Sequence, residues 1–134
     1  MSEEANVAKL QSLYAEFGRG NVPAILAALD PAIVWTNPGP SSEFSYFGTH
    51  VGIDKVAGVF QFVGENLEMR RFEPYRFLAQ DDTVVVLIRQ EATVRSTRRT
   101  YAQTCVHIWT LREGTPIALH DLQDTLAVVS ALRG

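Results

Sequence analysis

A chain of 134 residues with 46% hydrophobic, 20% charged and 10% aromatic content has the composition of one ordinary globular domain over residues 1–134, and excludes disordered, collagenous and coiled-coil architectures. Its 12 Lys and Arg against 15 Asp and Glu give a net charge of −3, with no basic stripe to meet a phosphate backbone, so no nucleic-acid partner is expected. The one cysteine, Cys105, closes no intramolecular disulfide, and no Cys/His group has zinc spacing along the sequence. A cytoplasmic setting, without a metal, is therefore expected. The acidic start Met1–Asn6 is unlike a signal peptide, and the least charged stretch, Gly20 to Ser42, carries Asp30 and four prolines, so no membrane partner is expected either.

Val7, Leu10, Leu13, Tyr14 and Phe17 recur at helical steps, which predicts a helix from about Ser2 to Phe17, stopped by Gly18-Arg19-Gly20. Asn21 as cap and Pro23 in the first turn predict a second, short helix carrying Ile25, Leu26 and Leu29 on one face, before Asp30-Pro31 ends it. Ala32–Thr36 is β-branched and aromatic and reads as a strand, broken by Asn37-Pro38-Gly39-Pro40. The segment from Pro38 to His50 reads as a polar, aromatic loop positioned to act as a lid, and His50-Val51-Gly52 as its continuation. Asp54 opens a third helix that turns Val56, Val59, Phe60 and Val63 inward and fades over Glu65 to Met69. The period then changes to two. Phe72–Gln80, Thr83–Arg95, Arg99–Arg112 and Pro116–Gln123 read as an antiparallel meander, and Asp124 as the N-cap of a terminal helix, Leu126–Leu132. A helical hairpin, a strand, a helix and a run of long strands predict an α+β fold.

Arg89 and Glu91 share one strand face with Val85 and Leu87, and Asp121 lies in line with Leu119 and Ile117. Turned inward, an Arg beside two carboxylates is a charge network that separates carboxyl pKa values, as acid–base catalysis requires; turned outward, Arg89 and Glu91 are a surface pair of little energetic worth. The hairpin at Glu113-Gly114-Thr115 decides what faces Asp121. A three-residue loop sets an odd-numbered residue of the preceding strand opposite Asp121, a two-residue loop sets Val106 there, and a one-residue slip reverses the face. His107 is thus either a pocket acid–base group or a packed strand residue.

The order of elements resembles the nuclear transport factor two-like superfamily, and its SnoaL-like polyketide cyclases, ketosteroid isomerase and limonene-1,2-epoxide hydrolase in particular. The resemblance is carried by Tyr14-Ala15-Glu16-Phe17 leading to Gly20-Asn21, by Val34-Trp35-Thr36-Asn37-Pro38-Gly39, and by Val106–Gly114 followed by Asp121-Leu122-Gln123-Asp124-Thr125. It implies a cone-shaped α+β barrel, with helices packed on a curved, mostly antiparallel sheet that encloses a pocket. The site pattern is most similar to the epoxide hydrolase. That similarity implies Asp121 as base, Asn37 as water holder, Glu91 as acid and Arg89 as the bridge between the acids, although Trp35 lacks the hydroxyl expected there and Glu91 is longer than the expected Asp. Asn37 also occupies the base position of the ketosteroid isomerases, where it cannot take a proton.

The expected activity is cofactor-free general acid–base chemistry on a small hydrophobic molecule: epoxide opening, isomerisation or cyclisation. Trp35, Tyr14, Phe17, Phe60 and His107 are the expected substrate contacts, in a pocket made apolar by its aromatics. The alternative is a binding module that holds such a ligand without turnover. A homodimer through the open sheet face is expected in either case.

Overall fold

The first helical run folds as α1 (Glu3–Gly18) in the computed structural model, which describes residues 2–134. The Ser2 hydroxyl accepts the Ala5 N–H at 3.0 Å, and Leu10 and Leu13 turn into the core. Asn21 caps α2 (Val22–Ala28), whose Pro23 sits in the first turn, where a missing N–H costs nothing. α3 (Ile53–Asn66) buries Val56 and Val59. α4 (Thr125–Arg133) begins where expected, with the Asp124 carboxylate accepting the Ala127 N–H at 3.1 Å.

Six strands form one open, curved sheet: β1 (Val34–Asn37), β2 (Gly48–Val51), β3 (Leu67–Gln80), β4 (Thr83–Val94), β5 (Thr100–Arg112) and β6 (Thr115–Leu122), in the spatial order β2-β1-β6-β5-β4-β3. β1 runs parallel to β6, and the other neighbouring pairs are antiparallel. The sheet does not close, so the cone is an open one with β2 and β3 as its edges. Two expectations change. Residues 48–51, expected as loop, pair with β1 through Val34↔Val51 to Asn37↔Gly48; a four-residue strand of Gly, Thr, His and Val is too short to show a period. β3 starts at Leu67 rather than Phe72, because α3 ends at Asn66 instead of fading through Met69.

The long strands are bent by extra residues. β3 carries two, Arg70 and Tyr75, where its pairing with β4 shifts, and β6 carries Ile117, which falls between the pairs Leu111↔Pro116 and Thr110↔Ala118. Each adds local twist and curves the sheet over the helices. The concave side holds the main core, with Leu10, Ile33, Val56, Val84, Val86, Ile88, Trp109 and Leu119 among its buried members. A second cluster lies where α4 and the loop carrying Phe47 meet the far ends of β4 and β5. Among the described residues, no helix is long and apolar enough to cross a membrane.

Candidate active site

Strand alternation decides which polar side chains enter the cone. On β4 the even-numbered residues Val84, Val86, Ile88, Gln90 and Ala92 are buried, so the odd-numbered Arg89 and Glu91 lie on the outer face. The expectation of Arg89 and Glu91 as bridge and acid is thereby corrected. Arg89 packs its guanidinium 3.7 Å from the centre of the Tyr75 ring and pairs with Glu73 at 3.3 Å, with nearly half of its side chain exposed. A period of two says which residues share a face, not which face is inside.

On β5 and β6 the inward phase falls on Cys105, His107 and Trp109, and on Leu119 and Asp121. The β5–β6 turn has two residues, Glu113 and Gly114, both at positive φ (49° and 79°), the backbone of a type I′ hairpin. A regular ladder from that turn sets Val106 opposite Asp121. The extra residue Ile117 shifts the register by one, and His107 pairs with Asp121 instead.

The resulting cavity has a volume of about 80 Å³ and is lined mostly by apolar side chains. All five expected substrate contacts, Tyr14, Phe17, Trp35, Phe60 and His107, line it, as does Asp121. Asn37 is buried behind the lining. Its Nδ2 donates to the Tyr46 carbonyl at 2.9 Å, which holds the 38–47 loop against the sheet.

Two hydrogen-bond chains converge on the Asp121–His107 pair. In the first, Trp109 Nε1–H, which can only donate, meets the Tyr14 hydroxyl oxygen at 2.8 Å, and the same hydroxyl lies 2.7 Å from His107 Nδ1. Burial, together with the nearby Asp121 charge, pushes the Tyr14 phenol well above its ordinary value, so it keeps its proton. With Nδ1 as the acceptor of that proton, the His107 ring proton lies on Nε2, facing Asp121 Oδ1 at 3.2 Å. The contact is close but poorly aligned, and Oδ1 has no hydrogen-bond partner of good geometry.

The second chain is a ladder of glutamines. The Asp124 N–H donates to Gln103 Oε1 at 2.7 Å; Gln103 Nε2 donates to Gln90 Oε1 at 2.7 Å and to Gln123 Oε1 at 3.1 Å. Gln123 Nε2 then donates to Asp121 Oδ2 at 3.0 Å and to the Tyr46 hydroxyl, which itself donates to Asp121 Oδ2 at 3.3 Å. Burial, then the Asp121 charge, raises the Tyr46 phenol far above its usual range, so Tyr46 is a permanent donor. Burial likewise pushes the Cys105 thiol up to about 12, with the Asp121 charge adding to it. Asp121 is thus a buried carboxylate of the cavity lining, with one oxygen fixed by two donors and the other without a well-aligned donor.

Tyr46, Gln90, Gln103 and Gln123 were not among the expected site residues. Gln123 is two residues after Asp121 and follows its face, and Gln90 and Gln103 are direct cross-strand partners, so the register identifies them. Tyr46 comes from an irregular loop that offers no period. The loop expected as a lid is built into the structure instead, since Phe47 is buried and Tyr46 reaches Asp121.

No functionally curated protein matches the chain in sequence. Among solved structures, it is similar to an NTF2-like protein from Burkholderia xenovorans LB400 (32% identity, TM-score 0.87, 98% of each chain covered). It is also similar to an NTF2-like protein of unknown function from Burkholderia pseudomallei K96243 (29% identity, TM-score 0.89, all of both chains covered). A third similar structure is TerC co-crystallized with polyporic acid (27% identity, TM-score 0.86, covering 97% of this chain and 99% of that one). The sequence pattern of the SnoaL-like domain matches residues 10–120, and the chain belongs to the SnoaL-like domain family.

Proposed function

We propose that the cavity is a general acid–base site that moves a proton on a small hydrophobic carbonyl compound. The observation that carries this reading is the free oxygen of Asp121: a buried carboxylate whose Oδ1 lacks an aligned donor, at the wall of an apolar cavity. Asp121 takes a proton from a carbon next to the carbonyl, and His107 Nε2–H donates to the oxygen on which charge develops. Tyr14 and Trp109 hold His107 in the tautomer that donates, and the glutamine ladder holds Asp121 Oδ2. Return of the proton to another carbon is an isomerisation, and attack of the carbanion on a second carbonyl is a cyclisation. Epoxide hydrolysis is disfavoured, since the outward Arg89 and Glu91 leave Asp121 without a bridged second acid.

The relative crystallised with polyporic acid supports an aromatic ligand, and that compound is a suitable binding probe. A volume of about 80 Å³ takes a small ring, so a larger ligand displaces adaptable lining such as Met69.

The test is hydrogen–deuterium exchange at the carbons beside the carbonyl in a panel of apolar ketones, followed by NMR. Wild-type protein is expected to accelerate exchange, and Asp121→Asn to lower the rate about 10²- to 10⁴-fold with binding retained. Saturable binding of the same ketones without exchange would instead establish a ligand carrier.

A further inference from the structure

Where β5 and β6 pair, the fold gathers three kinds of metal ligand that no single stretch of sequence holds together. Cys105 and His107 share the inner face of β5, and the register sets Asp121 opposite His107. One ligand atom from each, sulfur, ring nitrogen and carboxylate oxygen, lies within 4.8 Å of the other two. All three side chains are buried and all three line the cavity. His107 Nε2 and Asp121 Oδ1 are 3.2 Å apart, about the separation of two ligands that each stand ~2.0–2.1 Å from one tetrahedral ion. Asp121 Oδ1 is an independent sign of a ligand, being buried and without a well-aligned donor.

From this geometry we infer a zinc-class metal site formed by Cys105 Sγ, His107 Nε2 and Asp121 Oδ1. A thiolate, an imidazole and a carboxylate suit Zn²⁺, whereas Mg²⁺ and Ca²⁺ take oxygen ligands. Charge argues the same way. A thiolate and a carboxylate balance a dication, so the loaded site adds no net charge to an apolar cavity. The outer contacts of the ligands exist already. When Nε2 ligates, the ring proton belongs on Nδ1, where the Tyr14 oxygen, held by Trp109, lies 2.7 Å away to accept it. Asp121 Oδ2 keeps its bonds from Gln123 and Tyr46. Three protein ligands leave a fourth tetrahedral position to a molecule in the cavity, as in catalytic rather than structural zinc sites.

The zinc signature is invisible to a search for local spacing, because Asp121 arrives from the next strand. It departs from the expectation of a chain without a metal, which rested on spacing along the sequence alone. The inference does not depend on the proton-transfer reading, although the two share His107 and Asp121 and a bound ion occupies the oxygen that would act as base.

Cobalt(II) is the probe. Cys105 is the one cysteine of the chain, so a thiolate-to-cobalt charge-transfer band reports this site alone. Titration of the reduced, metal-free protein with Co²⁺ is expected to give that band, saturating at a single equivalent, and added Zn²⁺ to bleach it. Cys105→Ser should abolish the band, and Asp121→Asn, which preserves side-chain shape, should weaken Co²⁺ binding ~10-fold or more, with circular dichroism verifying that both variants fold. Absence of the band in wild-type protein whose thiol is verified as reduced overturns the inference, as does a band unaltered by Asp121→Asn. Deuterium exchange by the metal-free protein is measured alongside; a cobalt band without exchange supports the metal site and counts against the proton-transfer reading alone.

Discussion

Tyr14 shows how one hydroxyl can set the chemistry of a neighbour. It receives the Trp109 N–H and gives its own proton to His107 Nδ1, so it selects which ring nitrogen faces Asp121. Tyr14→Phe leaves the Trp109 N–H and His107 Nδ1 buried without partners, a loss expected to cost about 1–3 kcal/mol in denaturant unfolding. It also releases the tautomer. The expected result is a lower kcat with little change in KM, and a shift of the His107 ring nitrogen resonances toward a mixture of tautomers in ¹⁵N NMR. A purely structural role for Tyr14 would lower stability and leave those resonances unchanged. At this scale part of the cavity lining was legible in the sequence: Tyr14 and Phe17 from a helical period, Trp35 and Asp121 from the family resemblance, whereas His107 stayed open between the pocket and a packed face until the register was known. Arg89 and Glu91 were misread because alternation leaves the inside face undetermined, and two outer-face charges two residues apart look the same as two inner ones. The glutamines lacked a signature, since an amide carries no charge and shows its role only through its partners.

The β5–β6 hairpin joins a two-residue turn to a register that such a turn does not itself produce. Ile117 supplies the difference. Because Ile117 is the unpaired residue, its removal leaves Thr110↔Ala118 and His107↔Asp121 able to pair as before in a straighter strand. Deletion of Ile117 is therefore expected to fold and to keep ketone exchange within an order of magnitude of wild type. Deletion of Thr110, from the unbulged partner, turns His107 to the outer face and is expected to abolish exchange. Equal damage from both deletions would contradict this assignment. The loop bearing Tyr46 is held by a clamp of its own, with Arg133 donating to both carboxylate oxygens of Glu43 at 2.7 and 2.6 Å. These hydrogen bonds, followed by the guanidinium charge, hold the Glu43 carboxyl below its usual value. A carboxyl lowered by folding stabilises above its ordinary value and loses that contribution as pH falls through the lowered one. An NMR titration should find Glu43 depressed in wild type and returned to the ordinary range, near ~4.3, in Arg133→Ala. Further along the same loop, a Cβ at Gly39 would overlap the Phe47 ring, so Gly39→Ala is expected to push Phe47 and Tyr46 aside and weaken both stability and exchange. Neither the clamp nor the glycine contact has a sequence period, which is why the loop read as a lid.

On the scale of the whole molecule, an open sheet presents two faces, and the helices cover one. The outer face carries its own apolar patch. Register sets Leu78, Val85 and Ile108 in one row across β3, β4 and β5, and Leu87, Val106 and Leu122 in the next across β4, β5 and β6. Leu78 and Leu122 are 45% and 42% exposed. The outward charges Arg89, Glu73 and Glu91 lie beyond the second row and Arg76 lies at its β3 end, so the face is apolar in its middle and charged toward one flank, and we propose that another protein covers it. A second copy of the chain is the expected partner, since a sheet face can meet itself across a two-fold axis. Val85 and Ile108 face outward at mid-strand, away from the cavity. Ile108→Glu sets a charge in the middle of the patch without touching the cavity lining. Sedimentation velocity should give a dimer for wild type and a monomer for Ile108→Glu, with far-ultraviolet circular dichroism unchanged. A wild-type monomer at micromolar concentration would leave the patch without the proposed partner, whereas a monomeric Ile108→Glu that still exchanges ketone protons would mean that each cone works alone.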